Sequence, residues 1–499
     1  MNEQPKQFKW VGTRAIRPDG VDKVTGRAMY GADLSLPGMV EGKVVRSPHA
    51  HARIISIDTS KAEALNGVTA VITAADMPVA DSKPVASGEA MINFKDLANN
   101  VLAREKALYE GQAVAAVAAK TADIAEQAAA LIVVNYEVLP HVIDVMEAIK
   151  EDAPVLHDDM FTGGVKPKPE KASNVANRVE FALGDADAGF AAADLVIERQ
   201  FTTEPVHQGY IEPHAVVADM NPDGKVDVFC SSQGHFMVRA FCSQLLHIEM
   251  SKIKVTAAEI GGGFGGKTTV YLEPLAIMLS RKSGRPVRMT MSREEVFRGS
   301  GATSGAAMTI KMGATKDGKI TGAYAELYLQ AGAFPGSPVG PAAMTAFAPY
   351  DLANVKVVGF DVVSNRQKVV AYRAPGAPIS EYGVESVVDE LASELGIDPI
   401  EIRSMNGAKE GTQAAYGVKF GTIGFQETLD AAKATEHFKT PLGPNQGRGV
   451  ASGFWFNIGG ESCAGIRINE DGSISLTEGS PDIGGSRASM ALMAAETLG

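Results

Sequence analysis

The stretch "EIGGGFGGKTTV", residues 259–270, constrains this chain more tightly than any other. Five glycines surround the single aromatic residue Phe264. Glycine loses more conformational freedom on folding than any other residue, so such density marks backbone that must turn sharply or approach something closely. Two phosphate-binding patterns fit. Gly261, Gly266, Lys267 and Thr268 satisfy G-x-x-x-x-G-K-[ST], and Gly261, Gly263 and Gly266 satisfy G-x-G-x-x-G. The first needs a metal-holding Asp at the end of a nearby apolar strand. The next strand, "RPVRMTMSREE", has none, and Asp361 in "VKVVGFDVV" has more strand after it. The second needs an acidic residue about 20 residues on. Glu294 and Glu295 lie further away, in a charged turn. A loop close to some other ligand is the expectation that remains.

The rest of the chain bounds that ligand. At 499 residues, several domains are expected. A formal net charge of −12 argues against a nucleic-acid surface. The three cysteines, Cys230, Cys242 and Cys463, form no CxxC pair, so no zinc site or iron–sulfur cluster is expected from this chain alone. A reducing, cytoplasmic setting fits them. The first residues carry no apolar signal core, and no apolar run reaches the roughly 18 residues of a membrane span.

Periodicity predicts an α+β chain. Residues 1–150 alternate strands ("GMVEGKVVRS", "HARIISIDTS", "GQAVAAVAA") with a helix over "TADIAEQAAALI" capped by Thr121. Residues 151–177, rich in Lys, Pro, Gly and Asn, read as a connector. A second block over 178–410 holds strands, a hairpin turning at "KDGK", and an amphipathic helix "EYGVESVVDELASELG" stopped by Gly396. "RPVRMTMSREE" returns to strand. Residues 435–499 start a third block, with "GRGVASGFWFN", "CAGIRINEDGSISLTEGS" and a last helix, and the expectation is that this block is incomplete.

Taken together, the motifs resemble the molybdenum-binding subunit of the xanthine dehydrogenase/aldehyde oxidase family. They are "RPDGVDKVTGRAMYGADL", "VRSPHAHARI", "YEGQAVAAVAA", "VNYEVLP", "HQGYIEPHAVVA", "SSQGHF", "EIGGGFGGK", "AYRAPGAP" and "VVDELASELGIDPIEIRSMN", in the family's order and over nearly the whole chain. The resemblance implies an α/β-hammerhead domain followed by molybdopterin-binding α+β domains, the last one incomplete. It implies hydroxylation of a small molecule with water as the oxygen source. Electrons would pass through a molybdenum–molybdopterin cofactor, by analogy in its cytosine dinucleotide form. Iron–sulfur clusters and FAD would sit on partner subunits.

Site residues carry over by position. Gln233 in "SSQGHF" matches the Gln that donates its amide N–H to a molybdenum oxo group. Gly263, Phe264 and Gly265 match the loop lying against that oxo group and the pterin, with the Gly265 N–H as a donor. Arg373 and Ala374 match the pocket loop. Gly484, Gly485, Ser486 and Arg487 in "SPDIGGSR" open a helix and match the pterin-phosphate region, with Gly485 where Gln is usual. No direct side-chain ligand to molybdenum is expected. His207, Glu212 and His214, spaced poorly for a metal, are expected to support the pocket; His49 and His51 to be structural or exposed; Trp455 and Phe456 to be core; Lys267 to be structural.

Departures narrow the chemistry. Ala374 stands where copper-containing carbon monoxide dehydrogenases carry cysteine, so carbon monoxide oxidation is not expected. Thr268 and Pro375 stand where purine-oxidising members carry Glu and Phe. An aldehyde, an N-heterocycle or a related aromatic substrate stays open. The family's general-base Glu falls beyond this chain. Either a second molybdopterin subunit supplies it, or the chain is an inactive fragment that serves as a structural or assembly module.

Overall fold

A computed structural model describes residues 7–82, 84–87, 90–456 and 462–499. The first six residues, and Asn457 at the end of "GRGVASGFWFN", lie outside them. The chain forms two compact units, each assembled from separated segments. The first takes residues 1–139, 208–300 and 458–499; the second takes 140–207 and 301–457.

In the first unit, one mixed sheet runs in the order Ile253–Ala257, Val226–Cys230, Ala215–Met220, Val287–Thr290, Val40–Arg46, Ala113–Ala119, Val68–Thr73. The joint between early and middle segments is a parallel pairing of Val40–Arg46 with Val287–Thr290, in register Gly42↔Met289. Gly42 is required there, because a Cβ would lie 2.6 Å from Met289 Cγ. Ala113–Ala119 is buried at every position. Its small side chains let the Glu273–Ser283 helix, itself buried from Glu273 to Ser280, pack close to the sheet. Thr121 caps the Ala122–Leu131 helix by accepting the Ile124 N–H at 3.3 Å.

The second unit is built on a five-stranded sheet, ordered Leu195–Thr203, Ala306–Ala314, Ile320–Gly332, Val355–Val363, Val175–Leu183. The expected hairpin joins Ala306–Ala314 to Ile320–Gly332, with Gly318 at φ +90° in its turn. The Ala377–Leu395 helix lays Val384, Val387, Val388 and Leu391 on Met308, Ile310 and Leu327. Each large apolar side chain buried so contributes about 1.5–3 kcal/mol. Gly396, at φ +67°, ends that helix. Behind it, Glu385 accepts from Arg403 Nε at 2.8 Å and from the Tyr350 hydroxyl, with Arg403 wholly buried. The segment read as a connector has no helix or strand from 150 to 174, and the strand starts at Val175. The buried Asn174 side chain holds it, bonding Leu156 N, Ala148 O and Pro154 O.

Three expectations are corrected. The strand through "RPVRMTMSREE" stops at Thr290, and Arg293–Gly299 is a helix. Ser292 and Glu295 form a capping box: each side chain accepts the other's backbone N–H, at 3.1 and 2.8 Å. The described part of "GRGVASGFWFN" is irregular. It is laid out by carboxylates on the Ala377–Leu395 helix: Glu385 accepts the Ser452 N–H at 2.5 Å and Glu381 accepts the Phe454 N–H at 2.7 Å. Trp455 and Phe456 are accordingly half-buried rather than core.

Candidate functional site

Gln233 follows the Val226–Cys230 strand at the point where the sheet meets the glycine loop. Its own N–H donates to Lys267 O at 2.9 Å. Its Oε1 accepts two loop amides, Gly265 N at 2.8 Å and Lys267 N at 3.1 Å. Two donors on that atom fix it as the oxygen and leave Nε2 as a pure donor, without a partner among the described residues. Gly263 makes the fit possible, because a Cβ there would stand 2.3 Å from Gln233 Oε1. Phe264 holds φ +52° and is half exposed; Gly265 holds φ +102°. The left-handed region costs a non-glycine residue about 1–2 kcal/mol. The Gly265 N–H, expected as a donor toward a ligand, is taken by Gln233. Among the described residues, the Gly262, Gly263 and Phe264 N–H groups meet no acceptor, so these are the donors the turn leaves open.

Lys267 is turned inward. Its side chain is fully buried, its Nζ lies 2.7 Å from Glu212 Oε2, and the Tyr210 ring centroid is 5.0 Å away. Burial pulls the ammonium below its ordinary value, while Glu212 acts to hold it up. Glu212 Oε2 also accepts the Gly261 N–H at 2.7 Å, so one carboxylate ties both ends of the loop. A lysine so placed cannot reach a phosphate, and the phosphate-loop reading falls with it.

Glu212 and His214 do not converge on a metal. His214 is buried, with Nε2 2.7 Å from the Tyr210 hydroxyl and its ring edge-on to Tyr271. Burial pushes the Tyr210 hydroxyl up to about 12, so it stays a neutral partner for His214 and for Ser300 at 3.1 Å. His207 belongs to the second unit. His51 is buried and His49 lies edge-on to Tyr136. Among the described residues, one group of carboxylates has metal-like spacing, Asp19, Glu259 and Asp482. No sequence expectation pointed to it.

The other candidates occupy two further loops. In the first unit, Gly484 (φ +64°) and Gly485 (φ +94°) turn into the Ser486–Leu498 helix. Asp482 Oδ1 accepts the Arg487 N–H at 3.0 Å and the Ser486 hydroxyl at 3.2 Å, so part of that helix start is already capped by a carboxylate. The Arg487 guanidinium goes to Glu259 at 3.3 Å. In the second unit, Arg373 (φ +32°) and Ala374 (φ +61°) are consecutive left-handed residues before Gly376. Gly376 is also required, because a Cβ would lie 2.6 Å from Pro338 O. The Arg373 side chain is exposed and has no partner among the described residues.

Among the described residues, the non-glycine residues at positive φ are His247, Phe264, Arg373, Ala374 and Asn445. Three of them are candidate cofactor contacts. Such strain, at Phe264 in the first unit and at Arg373 and Ala374 in the second, marks backbone held for a purpose. In the first unit, the strained turn at Phe264 and the unpartnered donors of Gln233 Nε2 and the Phe264 N–H fit a pterin-bound oxo metal, a group held by amides rather than by ligating side chains.

Residues 25–140 match the aldehyde oxidase and xanthine dehydrogenase a/b hammerhead domain, and residues 167–407 match the molybdopterin cofactor-binding domain. The nicotinate dehydrogenase large molybdopterin subunit of Eubacterium barkeri is 32% identical over 86% of this chain and 96% of its own length. A putative xanthine dehydrogenase molybdenum-binding subunit of Escherichia coli is 31% identical over 97% of this chain, but this chain spans only 65% of it. Among solved structures, aldehyde oxidoreductase from Desulfovibrio desulfuricans aligns with TM-score 0.81 and 26% identity, over 94% of this chain and 52% of that one. Quinoline 2-oxidoreductase from Pseudomonas putida aligns with TM-score 0.76 and 28% identity, over 86% of this chain and 54% of that one.

A hammerhead domain joined to a molybdopterin-binding domain defines a molybdenum-binding subunit. This chain belongs to the xanthine dehydrogenase/aldehyde oxidase family of molybdenum hydroxylases. No helix among the described residues is long and apolar enough to cross a membrane.

Proposed function

We propose that this chain is the molybdopterin-binding part of a cytoplasmic hydroxylase that oxidises an N-heterocycle, an aldehyde or a related aromatic molecule, with water as the oxygen source. The observation that carries the proposal is the Gln233 amide, clamped through its oxygen by two loop N–H groups so that its free capacity is N–H donors only. When bound, the molybdenum–pterin group would supply the two-electron acceptor and the centre of oxygen transfer.

The chain's own residues would hold and orient it. Gln233 Nε2 and the Phe264 N–H offer donors to oxo oxygens without adding charge. Fixed donors of this kind need no reorganisation during the reaction. Gly484, Gly485 and the start of the Ser486–Leu498 helix offer amides and a positive dipole end to pterin phosphates. Arg373 is, by its motif, the cation of the pocket loop, and Ala374 keeps that loop free of a thiol. Thr268 donates its hydroxyl to Gly265 O at 2.7 Å and so is occupied within the loop, away from a substrate.

Nicotinate and quinoline, named in two of the relatives, are both N-heterocycles, which favours that substrate class. The relative with which this chain is nearly co-extensive is named a large molybdopterin subunit. That supports a second molybdopterin subunit here, carrying the general-base Glu, beside iron–sulfur and FAD subunits. The cytosine dinucleotide form of the cofactor belongs to the same proposal.

The test is purification of the chain with the proteins it assembles with, followed by metal and pterin analysis. Dye-linked oxidation of nicotinate, quinoline, an aldehyde and xanthine follows. Molybdenum and pterin with N-heterocycle turnover are expected. A folded protein that binds neither would overturn the proposal in favour of a structural module.

A further inference from the structure

The motif "RPDGVDKVTG", residues 17–26, contains no candidate cofactor contact, yet its side chains reach both candidate loops of the first unit. Arg17 Nη2 lies 2.7 Å from Asp19 Oδ2 and 3.1 Å from Asp482 Oδ2. Lys23 Nζ lies 2.7 Å from Asp19, 3.0 Å from Glu259 and 3.5 Å from Asp482. Arg487 closes the node on Glu259. The three carboxylates have the spacing of a cation site, and the Lys23 ammonium stands among them. Arg17 and Lys23 hold the Asp19 carboxyl far below the usual range.

The node joins three stretches distant in sequence. Glu259 opens the glycine loop, and its N–H donates to Met29 O at 3.1 Å. Asp482 shapes the turn into the last helix. A second tie holds the other end of that helix: the Glu496 carboxylate accepts the N–H groups of Lys9, Trp10 and Val11, the shortest at 2.7 Å. The helix itself buries no residue. Apolar packing therefore does little to fix it, and these polar ties carry its attachment. Exposed ion pairs contribute little, but the side chains of Asp19 and Asp482 are only 5% exposed, where screening is weak.

We propose that residues 9–23 form a brace that sets the 480–487 loop against the glycine loop, with Arg17, Asp19 and Lys23 as positioning residues for the pterin's phosphate side. The phosphate role rests on the proposed function; the brace itself does not.

The test compares Lys23→Met and Lys23→Arg with the wild type, in the full chain with its partners. Hydrogen exchange at amides 484–488 should accelerate at least about tenfold in Lys23→Met, with the central sheet unchanged, and return in Lys23→Arg. Pterin nucleotide retained after repeated desalting should fall severalfold in Lys23→Met and recover in Lys23→Arg. Exchange within about twofold of wild type overturns the brace. Faster exchange with unchanged pterin retention overturns the positioning role, as does a wild type without pterin. Asp482→Asn weakens the node from the other side and is read in the same way if Lys23→Met does not fold.

Discussion

Lys267 Nζ stands 2.7 Å from Glu212 Oε2, and the same oxygen accepts the Gly261 N–H at 2.7 Å. The lysine that sequence patterns nominate as a phosphate ligand is instead an internal strut, closing the glycine loop at its base. Removing it leaves a carboxylate with little solvent. Lys267→Met should cost about 3–5 kcal/mol of stability, measured by urea denaturation. Adding Glu212→Gln should recover part of the loss, giving a coupling energy above about 1 kcal/mol. Additive losses would mean that the pair does not act as a unit.

Gln233→Glu keeps an oxygen that accepts the Gly265 and Lys267 amides but replaces the Nε2 donor with a second acceptor. The fold should survive, with stability within about 1 kcal/mol of wild type. Turnover should drop about 10²–10³-fold, as it does when a fixed donor is lost. Steady-state kinetics beside a melting curve separate the two effects; a variant that keeps turnover would remove Gln233 from the machinery.

Gly263→Ala places a methyl group 2.3 Å from Gln233 Oε1. The loop or the glutamine must move. Stability should fall by about 1–3 kcal/mol, and molybdenum content should fall with it. Metal analysis of the purified variant is the check. Gly340→Ala, where a Cβ meets nothing within 4 Å, serves as the control in the second unit.

Glu381 gives a pH dependence of known sign. Burial pushes its carboxyl up to about 7, with Glu385 raising it further and the Phe454 N–H opposing. Below its unfolded value the group is protonated in both states. Between that value and about 7 the folded state binds the extra proton, so stability falls as pH rises through this window and levels off above it. The change should be on the order of 2 kcal/mol, allowing for partial exposure. Glu381→Gln should abolish this component, so urea midpoints at pH 5.5 and 8 would converge (both about one to two units from the midpoint). An unchanged pH slope in the variant would assign the effect elsewhere.

Much of this was legible in the chain itself because it is governed by neighbours in sequence. Thr121 caps its helix, Gly396 ends another, and Gly318 turns the hairpin, all through backbone preferences acting over a few residues. The Ser292–Glu295 capping box is equally local, and it is what ends the strand at Thr290 and starts the Arg293–Gly299 helix. The glycine density around Phe264 announced a close approach by backbone, and Gln233, Arg373 and Ala374 were reached through motifs.

Tertiary structure decided which groups those residues meet. Sequence alone determined that residues 261–266 must turn tightly, because glycine's freedom is a property of the residue. It could not determine that Gln233 takes the Gly265 N–H, that Lys267 points at Glu212, or that Lys23 sits among Asp19, Glu259 and Asp482. Those choices depend on segments tens to hundreds of residues apart being brought together by the sheet, through pairings such as Gly42 with Met289. A buried charge takes whichever partner the fold delivers, since leaving it unpaired costs more than any local preference can offset.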